Sequence, residues 1–266
     1  MRLVAWFIVA LVTSVTPSVA ETSLISLDTL DKGQQWSAVG RVDIQGVGFC
    51  TGTLISPNRV LTAAHCIYDR ATGNRIMPEG ITFLADIRNG VPEATRKVSR
   101  TATHPRYEVF GTDGIDRVSN DIAILELESP IQLPGIRPFE LATQPENGKG
   151  VSVVSYAAGR SDTPALEELC HVLARKAATV VMSCDIDFGS SGSPVFTIGP
   201  DGIARIVTII TALVRLEGEK VALGASLELA LAPLTRRVAA NDWDVLPTNP
   251  VVQDASSAGG AKFVKP

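Results

Sequence analysis

Short apolar segments separated by glycine and proline constrain the fold of this chain most strongly. Between residues 36 and 229 many of these segments alternate apolar with polar side chains, and turn residues bound them. The whole sequence contains 22 glycines and 16 prolines. Because alternation with a period of two is typical of strands, the pattern predicts an all-β chain. The predicted strands lie near 36–44, 48–56, 59–62, 81–86, 94–103, 122–128, 151–157, 169–175, 178–184, 193–198, 203–214 and 220–229.

Three further segments predict how the strands are connected and where the fold ends. Residues 130–150 are rich in proline and glycine, which indicates a connection between two β units. Residues 227–240 are rich in leucine and alanine and predict a short closing helix. The last twenty residues, 247–266, are small, polar and marked by proline, so we expect a disordered tail over 241–266.

The first twenty residues have the pattern of a secretory signal peptide. An apolar run over residues 3–12 follows a basic residue, and small side chains, Ser18 and Ala20, stand near the end. We therefore expect cleavage after Ala20 and a secreted or periplasmic protein. No other segment approaches the roughly 18 apolar residues that a membrane span requires, so no span is expected after cleavage. Residues 21–35 form a polar lead, and the sequence leaves open whether it is a propeptide.

The charge balance argues against one class of partner. The chain has 24 basic and 28 acidic residues and a formal net charge of -4. Nucleic-acid binding proteins carry a basic patch that neutralises phosphates, so no nucleic-acid partner is expected. The length allows one large domain or two small ones with a cleft between them.

The segment Gly-Ser-Ser-Gly-Ser-Pro at 189–194 is the strongest candidate for chemistry. Ser191 stands between glycines and just before the apolar pair Val195 and Phe196. On a tight turn its hydroxyl would be exposed, and neighbouring backbone N–H groups would converge on one point. Taken alone, the segment also fits an ordinary solvated loop, because glycine and serine are common in turns.

Two upstream segments indicate that this motif is more than an ordinary loop. They are Thr-Ala-Ala-His-Cys at 62–66 and Asn-Asp-Ile-Ala-Ile-Leu at 120–125. In this order the three motifs resemble those of the chymotrypsin/trypsin-like serine peptidases. The Ser-Ser-Gly-Ser-Pro form resembles the compact bacterial branch that includes glutamyl endopeptidases. The resemblance implies two six-stranded antiparallel Greek-key barrels, over 36–135 and 136–240, with a short C-terminal helix.

For the site, the resemblance implies a Ser/His/Asp triad in the cleft between the barrels. Ser191 would attack the scissile carbonyl, His65 would act as general base and then acid, and Asp121 would orient the imidazole. The backbone N–H groups of Gly189 and Ser191 would form the oxyanion hole. The expected reaction is hydrolysis of peptide bonds in a protein or peptide substrate through an acyl-enzyme. No cofactor is implied, and a monomer is expected.

Two other functions use the same residues. A catalytically inactive binding protein on this fold is one, because a fold does not guarantee an activity; the presence of all three triad residues argues against it. An esterase with the same triad is the other. An α/β-hydrolase fold is excluded, because its histidine comes last in the chain and His171, the last histidine here, precedes Ser191.

The four cysteines of an exported chain predict two disulfides, and the residues alone leave three pairings open. The resemblance selects Cys50 with Cys66, which flank the histidine loop, and therefore Cys170 with Cys184. The three histidines are widely spaced, so no zinc site is predicted.

Asp185 is the candidate for substrate selection. It lies six residues before Ser191. In the family that this chain resembles, the residue at that interval lies at the floor of the pocket for the side chain before the scissile bond. A carboxylate there favours Arg or Lys, because a cationic side chain satisfies it. Glutamyl endopeptidases hold the substrate acid with a histidine on the following strand, and residues 203–214 contain none. We therefore expect cleavage after Arg or Lys.

The activation device of digestive trypsins is missing from the sequence. In those enzymes an Asp directly before the nucleophile pairs with the new amino terminus of the cleaved chain. Ser190 stands at that position here, and no Ile-Val-Gly-Gly-like start precedes Trp36.

Overall fold

The computed structural model describes residues 23–111, 114–143, 145–176, 178–216 and 218–244. The predicted signal peptide and the part of the predicted tail from 245 onwards lie outside these ranges. The strands are β1 Ile25–Ser26, β2 Val39–Ile44, β3 Gly48–Ser56, β4 Arg59–Thr62, β5 Ile81–Arg88, β6 Val91–Thr103, β7 Ala123–Leu127, β8 Gly150–Ala157, β9 Arg160–Lys176, β10 Thr179–Met182, β11 Pro194–Ile198, β12 Ala204–Leu216 and β13 Glu219–Ser226. The α-helices are α1 Leu30–Gly33, α2 Ile115–Asn120 and α3 Leu227–Ala239.

The first barrel is closed, with strand order β2-β3-β4-β7-β6-β5 and antiparallel pairing throughout. Strands β2, β5 and β6 carry buried side chains at intervals between more exposed ones, and Val42, Leu54, Val60 and Phe83 fill the interior. A β-strand places successive side chains on opposite faces, so this alternation is what allows the sheet to close around one core.

The second barrel repeats the same arrangement. Its strands follow the order β9-β10-β13-β12-β11-β8, and a further pairing of β8 with β9 closes the ring. In both barrels the last three strands of the sequence return in reverse order beside the first three. The predicted fold class, two six-stranded antiparallel Greek-key barrels with a short C-terminal helix, is confirmed.

The polar lead contributes to the fold in a way that the sequence pattern does not indicate. Ile25 pairs with Leu166, which adds β1 to the edge of β9. Trp36 was expected to begin a strand, but it ends a 3-10 helix, Gln34–Trp36, and β2 begins at Val39. The indole is buried against Phe196 and Phe139, with ring centroids 4.9 and 6.2 Å away, so its packing decides the backbone there.

The first residues of the predicted tail are packed. Trp243 is buried, and the guanidinium of Arg100 lies 4.5 Å from its ring centroid. Asp244 forms ion pairs with Arg75 at 3.3 Å and Arg237 at 3.1 Å. The segment 241–244 therefore closes against the first barrel and does not share the expected disorder.

Two disulfides join the cysteines as the resemblance implies. Cys50 is bonded to Cys66 and Cys170 to Cys184, with Cα–Cα distances of 6.2 and 5.0 Å. Within the described ranges, none of the helices combines the length and the apolar character that crossing a membrane demands.

Candidate active site

His65 lies just after a strand of the first barrel. Strand β4 ends at Thr62, and a 3-10 helix, Ala64–Ile67, follows directly. The Cys50–Cys66 disulfide ties the residue after His65 to β3. The imidazole is mostly buried, with 11% of its side-chain surface exposed, so the loop holds it in one orientation.

Asp121 binds His65 twice. The Nδ1 atom of the imidazole lies 2.7 Å from Oδ2 of the carboxylate, and the backbone N–H of His65 donates to Oδ1 at 2.8 Å. A carboxylate only accepts hydrogen bonds, so Nδ1 carries the proton and Nε2 is left as the acceptor. Nε2 is buried and has no hydrogen-bond partner among the described residues. The pair thus presents an oriented imidazole whose Nε2 atom is free to contact a ligand.

The Ser191 turn is held against the first barrel. The backbone N–H of Thr51 donates to the carbonyl of Ser191 at 2.8 Å. Gly192 has a φ of +80°, and a Cβ there would lie 2.2 Å from both Thr51 O and Thr62 Oγ1, so only glycine permits this approach. The turn therefore contacts β3 at Thr51 and β4, the strand that leads into His65, at Thr62. The Ser191 hydroxyl and His65 Nε2 are not hydrogen-bonded to each other. Such contacts are often long without substrate.

The predicted oxyanion-hole amides are available for a ligand. Gly189 has a φ of +94° and is partly exposed, and a Cβ there would lie 2.3 Å from the Phe49 ring. The N–H groups of Gly189 and Ser191 make no hydrogen bond with any residue that the structure describes. Two unpaired donors beside the serine hydroxyl suit the binding of a negatively charged oxygen.

His104 is buried outside the site. Its Nδ1 accepts the backbone N–H of Arg106 at 3.2 Å, and burial, aided by the charge of Arg106, lowers the pKa of His104 to about 4. It is thus neutral near pH 7 and serves the turn that leads to Tyr107, whose backbone N–H donates to its carbonyl. Burial raises the pKa of Tyr107, and the nearby charge of Asp121 adds to this effect.

Asp185 is exposed, so it is not the buried carboxylate of a closed pocket. Its backbone N–H donates to Oε2 of Glu167 at 2.8 Å, and Glu167 is buried. Arg160 donates to the hydroxyl of Ser155 at 2.7 Å. Burial lowers the pKa of Arg160, and the charges of Asp185, Asp187 and Glu167 oppose that shift. Sequence reasoning missed Arg160 and Glu167, because no motif surrounds either residue.

The cysteines cannot serve a metal ion. Among the residues that the structure describes, two groups have potential ligand atoms within 4.8 Å of one another: Cys50, His65 and Cys66 in one, and Glu167, Cys170 and Cys184 in the other. All four sulfur atoms are bonded in disulfides, so neither group offers the thiolate that a metal requires.

A comparison with protein families adds independent evidence. A family model described as trypsin matches residues 29–219, which include His65, Asp121 and Ser191.

Curated relatives match part of the chain. A trypsin of Phaedon cochleariae is 38% identical over 99 residues, which are 35% of this chain and 33% of that protein. A glutamyl endopeptidase of Bacillus licheniformis is 27% identical over 151 residues, 56% of this chain and 46% of that protein. The matched region thus spans a third to a half of these relatives.

Solved structures match nearly the whole fold. A Glu endopeptidase in complex with MPD has a TM-score of 0.67 at 15% identity, covering 84% of this chain and 99% of that one. An inactivated protease paralogue of the scabies mite has a TM-score of 0.63 at 16% identity, covering 79% and 95%. At these identities the likeness concerns the fold alone.

Proposed function

Because the chain belongs to the trypsin family, we propose that it is an exported serine endopeptidase that hydrolyses peptide bonds through an acyl-enzyme. One observation carries the proposal: Asp121 accepts hydrogen bonds from both Nδ1 and the backbone of His65, and Nε2 is left unpaired. This is the orientation in which an imidazole can take a proton from a serine hydroxyl. The signal-peptide pattern and the two disulfides support export.

The reaction follows from these positions. Ser191 Oγ bonds to the scissile carbonyl carbon while its proton passes to His65 Nε2, and the carbonyl electron pair moves to oxygen. The N–H groups of Gly189 and Ser191 hold that oxyanion. The imidazolium then protonates the leaving amine as the C–N bond breaks, which leaves an acyl ester on Ser191. Water, activated by the same imidazole, hydrolyses the ester and restores the serine.

Two alternative functions can be distinguished from a peptidase by experiment. An inactivated protease paralogue shares the fold, which supports the reading as an inactive binding protein, but this chain keeps all three triad residues. An esterase would use the same atoms, because acyl transfer to water is common to both reactions.

A fluorophosphonate probe tests the proposal. It phosphonylates a serine only when a base activates the hydroxyl, and we expect stoichiometric labelling of Ser191 with loss of hydrolysis of both a casein substrate and a peptide amide. Peptide mapping locates the label. Labelling at another residue, or none on the folded protein, contradicts the triad. Turnover of esters alone, without any cleavage of casein or amides, favours the esterase.

The proposed preference before the scissile bond is for Arg or Lys, and Asp185 supports it. Because Asp185 is exposed and Arg160 contributes positive charge near it, the preference is expected to be modest. An exposed ion pair contributes up to about 1 kcal/mol, or roughly fivefold in kcat/KM. The names of the two glutamyl endopeptidase relatives point to the rival preference, for Glu, but β12 carries no histidine.

Fluorogenic peptides that differ only at this position measure the preference. Arg and Lys substrates should exceed Leu, Phe and Glu substrates by roughly fivefold, and Asp185→Asn should abolish the difference. Asp187→Asn is the matched control, because Asp187 is another exposed carboxylate near Arg160 and should leave the ratio unchanged. A faster Glu substrate, or a ratio that Asp185→Asn does not alter, rules out the assignment.

A further inference from the structure

We propose that the hydroxyl of Thr51 positions the oxyanion loop, residues 187–191. Neutral hydrogen bonds at this loop replace the ion pair that digestive trypsins form between an Asp before the nucleophile and an amino terminus, which Ser190 cannot form. The inference rests on the proposed function and concerns the same site. Thr51 touches neither substrate nor reacting atoms, so its role is that of a positioning residue.

Thr51 joins the two barrels at the loop. It lies on β3 of the first barrel and is completely buried. Its hydroxyl donates to the carbonyl of Gly189 at 2.9 Å and accepts the backbone N–H of Tyr156 at 3.1 Å. A second acceptor, the carbonyl of Tyr156, is 3.4 Å away, and the single hydroxyl proton favours the shorter contact. One side chain therefore links segments 105 and 138 residues distant.

Tyr156 is itself fixed to the first barrel. It is fully buried, and its hydroxyl accepts the backbone N–H of Ile87 at 3.0 Å. Burial raises the pKa of Tyr156, so the hydroxyl is protonated near pH 7. The hydrogen bonds thus run from Ile87 through Tyr156 and Thr51 to Gly189, without any ion pair.

The Ser190 hydroxyl takes the place of the Asp carboxylate that digestive trypsins have at this position. It is completely buried. Its hydroxyl accepts the backbone N–H of Asp187 at 3.3 Å and donates to the carbonyl of Tyr156 at 3.4 Å. An aspartate at this position would need a cation to offset the cost of its burial, whereas a hydroxyl needs only these dipoles.

Hydrogen bonds to the carbonyl groups of the loop determine where the oxyanion donors point, because the C=O and N–H of a trans peptide lie on opposite sides. The carbonyl of Phe188 accepts the N–H of Ala158 at 2.7 Å, which turns the Gly189 N–H the other way. The carbonyl of Ser190 accepts the N–H of Ser193 at 3.0 Å, which does the same for the Ser191 N–H. The peptide plane between these two is held at both ends: the Ser190 N–H donates to the carbonyl of Asp187 at 2.9 Å, and the Gly189 carbonyl accepts from Thr51.

Removing this hydroxyl should therefore impair catalysis more than binding. Thr51→Val keeps the side-chain shape but leaves the Gly189 carbonyl and the Tyr156 N–H without their partner. We expect kcat to fall roughly 10 to 100-fold, somewhat less than the loss of an oxyanion donor itself, with KM within about threefold. The inhibition constant of a peptide aldehyde, whose adduct places an oxyanion in the hole, should rise by the same factor. Thr51→Ser, which restores the hydroxyl, should recover most of kcat.

Thr53→Val is the matched control. Thr53 is equally buried on the same strand, and within the described part of the chain its hydroxyl donates only to the carbonyl of Ala38, at 3.4 Å. It should lower stability without changing kcat or the aldehyde constant. Equal loss of kcat in the two valine variants, or no loss in Thr51→Val, overturns the inference.

Hydrogen exchange of the 185–194 peptide separates this inference from the proposed function. If Thr51 holds the loop, exchange there is faster in Thr51→Val than in Thr53→Val or Thr51→Ser, whether or not the wild-type protein hydrolyses any peptide. Equal exchange in all three overturns the positioning role even when the wild-type protein is an active peptidase. A wild-type protein that neither reacts with fluorophosphonate nor cleaves substrate contradicts the proposed function alone.

Discussion

Replacing Ser191 with alanine is expected to lower kcat/KM for a peptide substrate by at least about 10⁴-fold while the protein folds normally. In the proposed reaction the hydroxyl supplies the nucleophile, and the acyl-enzyme cannot form without it. The residual rate is what the N–H groups of Gly189 and Ser191 and substrate binding provide. The turn itself should persist, because its hydrogen bonds to Thr51 and Ser193 use backbone atoms.

Ser193→Ala is the control for this measurement. Ser193 is two residues further along the same motif and fully buried, and its hydroxyl has no hydrogen-bond partner in the described part of the chain. Its loss should change kcat/KM by less than about twofold, because no contact is broken. Purified Ser191→Ala that retains activity within tenfold of wild type disproves the nucleophile assignment.

Replacing Asp121 with asparagine is expected to lower kcat by about 10⁴-fold with little effect on KM. An amide NH₂ facing Nδ1 donates a hydrogen bond to it, so Nδ1 becomes the acceptor and the imidazole proton resides on Nε2. The base then has no lone pair for the Ser191 hydroxyl. The 2.7 Å contact between His65 and Asp121 is the basis of this expectation.

Asp244→Asn provides the comparison. Asp244 is also a buried carboxylate, with 3% of its side chain exposed, but it pairs with Arg75 and Arg237 and lies away from His65. This variant should lose stability and keep kcat/KM within about twofold. If kcat depends equally on both carboxylates, the loss reflects general destabilisation and Asp121 has no special role.

The fold was predictable, and the candidate site residues could be chosen, because the signals for both are local. Period-two alternation marks most strands within a residue or two at either end, and the His65, Asp121 and Ser191 motifs each occupy a few consecutive residues. The strand β1 was not predictable, since two residues are too few to show any period.

The remaining features depend on contacts between distant segments. Thr51 looks like an ordinary strand residue, and only the closed barrels bring it to Gly189 and Tyr156. Asp185 was assigned by counting from Ser191, which gives the position in the chain but neither its exposure nor the approach of Arg160. Trp243 lies beyond the last periodic segment, so only its contact with Arg100 reveals that it is packed.

The aromatic contacts of Trp36 have a consequence for how the two barrels unfold. Trp36 ends the 3-10 helix that precedes β2, Phe139 lies in the connection between barrels and Phe196 lies on β11. Trp36 and Phe196 belong to one apolar cluster that also holds Phe83 of the first barrel, and Phe139 packs against it. Neither barrel can lose its structure without exposing apolar surface of the other, so the energetic penalty is shared. Such sharing makes unfolding cooperative, and the halves of the cleft should melt as a single unit.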